Sequence, residues 1–288
     1  MKRILVPTDF SPFAYHAAEV AAGIAKRTGA RVFLLHAIDM PVYSRNDSFS
    51  EVPDTMEGIF LLKRAKQEFE KLIAQPFFDQ VEVAEVLQWE NVYDTITEKA
   101  KEFEIDLIVM GSQGASGAQE FLVGSNTEKI IRTAACPVLT IKDRMPNFAP
   151  TNVMFASNFY KESVDSFRKL KSFADIFNAT IHLVKIITPA NFEGTSYTRK
   201  LMQDFADAAG LKEMKMHIYN DLMVEKGIHA VAEELNADLL MIETHGRTGL
   251  AHFFHQSIAE DVANHSSRPV LSQRIEVVKE KKGGIFPM

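Results

Sequence analysis

The sequence of 288 residues has one cysteine, one tryptophan and no long uninterrupted apolar run. The only cysteine, Cys136, cannot form a disulfide within the chain, and such scarcity is typical of proteins from a reducing compartment. A membrane-spanning helix needs about 18 or more apolar residues in a row, and the sequence contains no such stretch. We therefore expect no membrane span and a cytoplasmic location.

A concentrated basic region is also missing. Lys and Arg number 32 against 38 Asp and Glu, which gives a formal net charge of −6. Proteins that bind nucleic acid through its phosphates carry clustered Lys and Arg. The composition therefore argues against nucleic acid as the main partner, while a hydrophobic content of 46% is ordinary for a globular protein.

A glycine-rich segment lies between two short apolar runs near the middle of the chain. Residues 107–110 are too few for a helix and fit a strand that is buried on both faces. Gly111, Gly114 and Gly124-Ser125 follow, and an amphipathic helical pattern then begins. The free N–H groups of such a strand-loop-helix suit phosphate, and we expect Ser125 to cap the helix and to donate to a phosphate oxygen. The spacing is neither that of a P-loop nor that of a dinucleotide fingerprint.

Apolar runs alternate with amphipathic segments through the first half of the chain. We expect Ser11 to cap the first helix, Pro12 to open it and Gly29 to end it. Alternating strands and helices predict right-handed crossovers and an α/β fold with a parallel, doubly wound sheet. The predicted strands begin near residues 4, 32, 81, 107 and 138.

The same order of segments recurs in the second half. Residues 152–159 align with residues 3–10, and one constant offset aligns residues 237–271 with residues 105–139. This pattern indicates a tandem duplication with a proline-bracketed linker at residues 143–150. We predict a first domain over residues 1–144, a second over 150–276 and a C-terminal tail over 277–288.

The segment VPTDFS at residues 6–11, the segment LLHAID at 34–39 and the glycine spacing together resemble the universal stress protein family in its tandem two-domain form. The resemblance covers nearly the whole chain. It implies Rossmann-like domains of the adenine nucleotide alpha hydrolase type, each a five-stranded parallel sheet flanked by helices. It also implies dimerisation through the last strand of each domain.

For the family's ATP-binding members, the resemblance implies contacts from the turn after strand one, the residue after strand two and the glycine loop. In this sequence those positions are Pro7, Thr8, Asp9, Ala37, Met110, Gly111, Gly114, Gly124, Ser125 and Asn126. Asp9 suits a ribose hydroxyl or a metal-bound water and equally suits a cap for the next helix. The implied cofactor is ATP or a related adenine nucleotide, with or without Mg²⁺. Because residues 111–126 contain no Lys or Arg, we expect binding without efficient hydrolysis.

The second half departs from this pattern at three positions. Asn158, Glu243 and Gln256 stand where the first half has Asp9, Gly111 and Gly124. We expect Glu243 to face the loop and repel phosphate, at a cost on the order of 1 kcal/mol per charge pair in water. The sequence therefore predicts one ATP per chain, bound by the first half.

Several imidazoles lie in the second loop, close to Glu243. His245, His252 and His255 accompany Arg247 there. A metal site with His and Glu ligands and a polar loop without metal both fit this composition. Three functions stay open: an ATP-binding stress-response protein, a non-nucleotide interaction protein, and an enzyme that uses the His and Glu cluster.

The last strand of each repeat is a short apolar segment. These strands are predicted over residues 137–141 and 269–274, and unpaired sheet edges need cover. We predict that the two halves pack as a pseudo-twofold pair through these strands. A homodimer of whole chains is left open.

Overall fold

A computed structural model describes residues 1–38, 55–112, 124–245 and 258–275. Several residues singled out by their sequence lie outside these ranges: Gly114 in the first loop, and Gly246, Arg247, His252, His255 and Gln256 in the second.

The first half opens with a strand and a helix whose two ends follow the sequence signals. Strand β1 (Arg3–Pro7) leads into helix α1 (Pro12–Thr28), where Ser11 Oγ accepts from Ala14 N at 3.3 Å and Gly29 takes a φ of 70°. The predicted cap, start and end of α1 are confirmed. The other elements of this half are β2 (Arg31–Ala37), α2 (Met56–Ile73), β3 (Val83–Gln88), α3 (Val92–Glu102), β4 (Leu107–Gly111), α4 (Ser125–Thr133) and β5 (Val138–Ile141).

Strand β3 begins later than its apolar pattern predicts. Val81 was expected to open it, but Val81 N donates to Phe78 O at 3.0 Å and so belongs to the turn before the strand.

The second half repeats the same order of strands and helices. Its elements are β6 (Asn152–Ala156), α5 (Ser163–Asp175), β7 (Thr180–Ile187), α6 (Thr195–Ala209), β8 (Lys215–Asn220), α7 (Val224–Glu234), β9 (Leu239–His245), α8 (Ile258–His265) and β10 (Val270–Ile275).

The duplication extends to individual hydrogen bonds. Asp106 Oδ2 accepts from Arg3 N at 3.0 Å, and the equivalent Asp238 Oδ1 accepts from Asn152 N at 3.1 Å. Each aspartate, located just before β4 or β9, therefore fastens the start of the first strand of its own half.

The ten strands in the described ranges form one sheet in the order β3-β2-β1-β4-β5-β10-β9-β6-β7-β8. Neighbouring strands within each half are parallel, whereas β5 and β10 pair antiparallel with Leu139 opposite Leu271. The two last strands, predicted to need cover, lie side by side. The chain thus consists of two tandem α/β domains whose sheets are flanked by helices.

Both faces of the sheet are buried. In β1, Ile4 and Val6 belong to the core beneath α1, and Leu5 belongs to the core on the opposite face. A continuous apolar strand of this kind is expected when helices cover both faces. Among the helices that the structure describes, none is long and apolar enough to cross a membrane.

Candidate functional site

The strand order of each half contains a reversal at the first strand. β1 lies between β2 and β4, and β6 lies between β7 and β9. In open α/β sheets, ligands bind in the crevice outside the carboxyl ends of the strands at such a switch point. The candidate site of the first half is therefore the crevice at the ends of β1, β2 and β4, next to the start of α4.

The turn after β1 is held by its own side chains. Thr8 is buried; its N–H donates to Leu35 O at 2.8 Å, and its Oγ1 accepts from Phe10 N at 3.0 Å. Asp9 is exposed, and its Oδ1 accepts from Ser11 N at 3.0 Å. Asp9 therefore shapes the entry to α1 while its carboxylate remains at the crevice.

His36 braces this turn from β2, immediately before Ala37. Its Nδ1 lies 2.8 Å from Thr8 O, and because a carbonyl only accepts, Nδ1 carries the proton. The ring packs against Phe10 with 4.6 Å between centroids. Burial lowers the pKa of His36, although the Thr8 carbonyl and the Asp9 charge oppose this effect. A neutral imidazole thus fixes the backbone between β1 and α1.

Helix α4 starts at the crevice without a side-chain cap. Gly124 is its N-cap residue, with φ −61° and ψ 145°, and no cap hydrogen bond from a side chain is formed within the described residues. The expectation that Ser125 caps the helix is wrong, because Ser125 is already the first helical residue. The first N–H groups of a helix have no partner within the helix, and they attract anions. The start of α4 is suited to a phosphate.

The end of β4 is packed tightly against neighbouring helices. Thr127 Oγ1 donates to Gly111 O at 3.1 Å, which fixes the start of α4 to the strand. A Cβ atom at Gly111 would lie 3.0 Å from the backbone carbon and oxygen of Phe13. The packing of α1 therefore favours glycine at 111, a reason that the sequence alone did not reveal. Met110 is buried in the core, so its side chain contributes to packing.

Ser112 is a polar residue at the base of the loop that the sequence did not single out. Its N–H donates to Ile141 O at 2.9 Å, and its carbonyl accepts from Gly124 N at 2.7 Å. Its hydroxyl is fully buried and has no hydrogen-bond partner among the described residues. Serine after a strand is common in α/β loops, so no local signal distinguished it.

Glu243, at the Gly111 position of the second half, is a half-buried acceptor. Ser157 Oγ donates to its Oε2 at 2.9 Å, and Ser166 Oγ contacts its Oε1. Burial raises the pKa of Glu243 to about 7, although hydrogen bonds from serines oppose this shift. Its carboxylate thus joins β9 to the end of β6 and to α5, whereas most of the loop that Glu243 was expected to face lies outside the described residues.

Lys185 stands in β7 at the position that His36 holds in β2. Its side chain is 1% exposed, and its Nζ donates to Asn158 Oδ1 at 3.1 Å and lies 3.5 Å from Glu193 Oε2. Burial lowers the pKa of Lys185, and the charge of Glu193 opposes this effect. The end of β7 is thus filled by an internal cation and its partners. The one sequence signal was a lysine within the apolar strand TIHLVKII.

The metal hypothesis for the second loop finds no counterpart in the described ranges. Within residues 1–38, 55–112, 124–245 and 258–275, no group of three or more His, Cys, Asp or Glu side chains is arranged to hold a metal. Most of the predicted cluster, including the side chain of His245, lies outside what the structure describes.

Two tandem α/β domains, each with a strand reversal at its first strand, define the class of this protein. The chain belongs to the universal stress protein family, whose sequence pattern matches residues 1–142 and again residues 151–273.

Relatives match either one half or the whole chain. Universal stress protein MJ0531 of Methanocaldococcus jannaschii is 30% identical over 149 residues, which are 49% of this chain and 82% of that protein. Universal stress protein MJ0577 of the same organism is 28% identical over 157 residues, covering 49% of this chain and 94% of that protein. The crystal structure of a universal stress protein from Archaeoglobus fulgidus covers 95% of this chain and 98% of its own, with a TM-score of 0.73 and 22% identity. That likeness shows the fold across both halves.

Proposed function

We propose that the first domain, residues 1–144, binds ATP as a regulatory ligand in a cytoplasmic stress response. The observation that carries this proposal is the start of α4, where Gly124 and a first turn without a side-chain cap lie beside the ends of β1 and β4. A helix start without its own cap, at a switch-point crevice, provides both donors and partial positive charge for an anion.

The phosphates are assigned to the glycine loop and α4. Ser125 and Asn126 offer N–H groups, the exposed Ser125 adds a hydroxyl, and Gly124 leaves the approach open because it has no side chain. Gly114 completes this set from outside the described residues. The Ser112 hydroxyl at the base of the same loop, which has no hydrogen-bond partner among the described residues, fits a polar ligand.

The nucleoside is assigned to the ends of β1 and β2. Pro7, Thr8 and Ala37 end or follow these strands, with the backbone of Met110 and Gly111 on the other side of β1. The exposed carboxylate of Asp9 suits a ribose hydroxyl or a water bound to Mg²⁺. Bound Mg²⁺ would neutralise phosphate charge in a loop without Lys or Arg.

The second domain, residues 150–276, is proposed not to bind nucleotide. Lys185, Asn158 and Glu193 fill the end of its second strand with an internal ion pair. Gln256 replaces the bare N-cap glycine. We therefore expect one site per chain.

Isothermal titration of ligand-free, refolded full-length protein with ATP, ADP and GTP tests the proposal. The expected result is one adenine-nucleotide site per chain, with GTP bound at least about tenfold more weakly. Two sites per chain would contradict the assignment to one half. No detectable ATP binding would favour the interaction-protein function instead.

A further inference from the structure

Two histidines in the second half form a hydrogen-bonded pair on the sheet. Nδ1 of His182, in β7, lies 3.1 Å from Nε2 of His217, in β8, with 5.3 Å between the ring centroids. His182 is only 4% exposed. β8 is at the end of the strand order, and β7 is its one neighbour among the described strands. This histidine pair therefore links an edge strand to the interior of the sheet.

The histidine pair lies on the face of the sheet that α7 covers. Val184 of β7 is opposite His217 and belongs to the same core as Ile228 of α7. His182 is two residues before Val184, so its side chain points to the same face. On its other side, β6 places the uncharged Met154 opposite His182. A charge on the pair would therefore lie among apolar side chains.

One nitrogen of His182 decides which protonation states the pair tolerates. Its Nε2 is buried and has no hydrogen-bond partner among the described residues. In the neutral pair, Nδ1 of His182 can donate to Nε2 of His217, and Nε2 of His182 then carries no hydrogen. The neutral pair thus avoids a buried N–H group without an acceptor.

One added proton removes this favourable arrangement. If His182 becomes charged, both of its nitrogens carry hydrogen. If His217 becomes charged, its Nε2 donates to Nδ1 of His182, and the hydrogen of His182 must then be on its Nε2. Either arrangement places an N–H group on the buried Nε2, and a second added proton sets two N–H groups against each other. Because a buried donor without an acceptor is costly, acid weakens the link between β7 and β8.

The other titratable groups on this face do not reverse the effect of burial. β8 contributes Lys215, which is opposite His182, and Tyr219, which packs on the same core. Burial lowers the pKa of His182, and the charges of His217 and Lys215 act in the same direction. Burial also lowers the pKa of His217, although Glu234 at the end of α7 opposes this effect. The folded protein therefore favours the neutral pair.

The first half has apolar residues at the two equivalent positions. The strand registers align Phe33 of β2 with His182, and Val86 of β3 with His217. The same sheet thus forms in the first half without a hydrogen-bonded pair. The histidine pair is a property of the second half and not a requirement of the fold.

We propose that the histidine pair is a pH-sensitive switch, which holds β8 against β7 near neutral pH and releases this edge strand when the pair takes up a proton. The folded state binds fewer protons than the unfolded chain, whose histidines have an ordinary pKa of 6.5. The contribution of the pair to stability is therefore complete above pH 6.5 and is lost as the pH falls below it. This response to acid does not depend on nucleotide binding.

Hydrogen exchange of the full-length protein, followed by mass spectrometry at pH 5 and pH 7.5, tests the proposal without any variant. Each exchange rate is divided by that of an unstructured peptide at the same pH, which gives a protection factor. We expect the protection of residues 215–220 to fall at least about tenfold from pH 7.5 to pH 5. Residues 152–156 in β6 are expected to stay protected at pH 5. Unchanged protection of β8, or complete exchange of β6 together with β8, overturns the proposal.

A variant that copies the first half isolates the contribution of the pair. His182→Phe combined with His217→Val removes both titrating groups, so the fall in β8 protection is expected to shrink to at most about twofold. His229→Gln is the matched control, because His229 is a half-buried histidine on α7, the helix that covers the pair. This control is expected to keep the wild-type response. A response that persists in the double variant, or that disappears in His229→Gln, overturns the proposal.

Discussion

The Ser157 hydroxyl donates a hydrogen bond of 2.9 Å to the carboxylate of Glu243, and this bond joins the end of β6 to β9. The second serine at this carboxylate, Ser166, also lies 3.0 Å from Ser163 O. A hydroxyl has one proton to donate, so when Ser166 donates to Ser163 O, its contact with Glu243 requires a proton on the carboxyl group. This geometry agrees with a pKa of about 7 for Glu243.

The raised pKa of Glu243 predicts a loss of stability as pH rises. Its pKa is about 7 in the folded protein against an ordinary value of 4.5, so between these values the folded state binds more protons than the unfolded state. The free energy of unfolding therefore falls across this window, by an amount on the order of 3 kcal/mol. The full contribution is present below pH 4.5 and is lost above pH 7.

Glu243→Gln removes this dependence because an amide does not ionise. Urea unfolding at pH 5 and pH 8 gives the change in the free energy of unfolding for wild type and for the variant. The difference between these two changes is the contribution of Glu243. We expect wild type to lose more stability than the variant over this interval. Parallel pH profiles would show that Glu243 titrates normally.

Gly124→Gln is expected to abolish ATP binding without affecting the fold. The φ of −61° at Gly124 is accessible to any residue, but a side chain there covers the start of α4. We expect affinity to fall at least about tenfold, or 1.4 kcal/mol, with an unchanged thermal midpoint. Gly194→Gln is the matched control, since Gly194 is the N-cap of α6 with φ −67° and open space around it. A similar loss of ATP affinity in both variants would argue against a nucleotide site at the start of α4.

Gly111→Ala is expected to destabilise the first domain by about 1–3 kcal/mol, because the added Cβ would meet the backbone of Phe13 at 3.0 Å. Gly23→Ala, in the same packing partner α1, has open space around its new methyl group. That control is expected to stabilise the protein by roughly 0.5–1 kcal/mol through helix propensity. Chemical denaturation compares the two variants, and a stable Gly111→Ala protein would refute the packing role.

Glu193→Gln is expected to destabilise the second domain by about 1–3 kcal/mol, because Lys185 then remains buried without its opposite charge. Combining Lys185→Met with Glu193→Gln removes the buried positive charge that has lost its partner. The double variant is therefore expected to recover much of the loss. A double-mutant cycle measured by urea unfolding tests this coupling, and simple additivity of the two losses would contradict it.

The sequence predicts local features well where their cause is local. Ser11 and Gly29 delimit α1 through their own backbone and side-chain chemistry, and the apolar patterns indicate the five strands of the first half, although β3 begins later than predicted. The sequence predicts Ser125 as the N-cap of α4, but the N-cap is Gly124, one residue earlier. Errors of one residue are common at helix boundaries.

The candidate site was less predictable because its contacts join distant segments. Phe13 leaves no room for a Cβ at Gly111, and Glu193 pairs with Lys185, and neither relationship follows from spacing along the chain. The sequence predicts a loop charge at Glu243 because its serine partners lie just after β6 and in α5, and the repeat alignment alone does not orient these segments.

The antiparallel pairing of β5 with β10 joins the two halves within a single polypeptide. A contact inside one chain does not weaken on dilution, whereas association between separate subunits depends on their concentration. The linkage also means that the two halves can differ in sequence. In a pair of identical subunits each substitution appears twice, but here Lys185 stands at the position that His36 holds in the other half, and Arg268 at the position of Cys136. Because the two halves are covalently linked, one half can change its sequence while the other half keeps the residues that its own function needs.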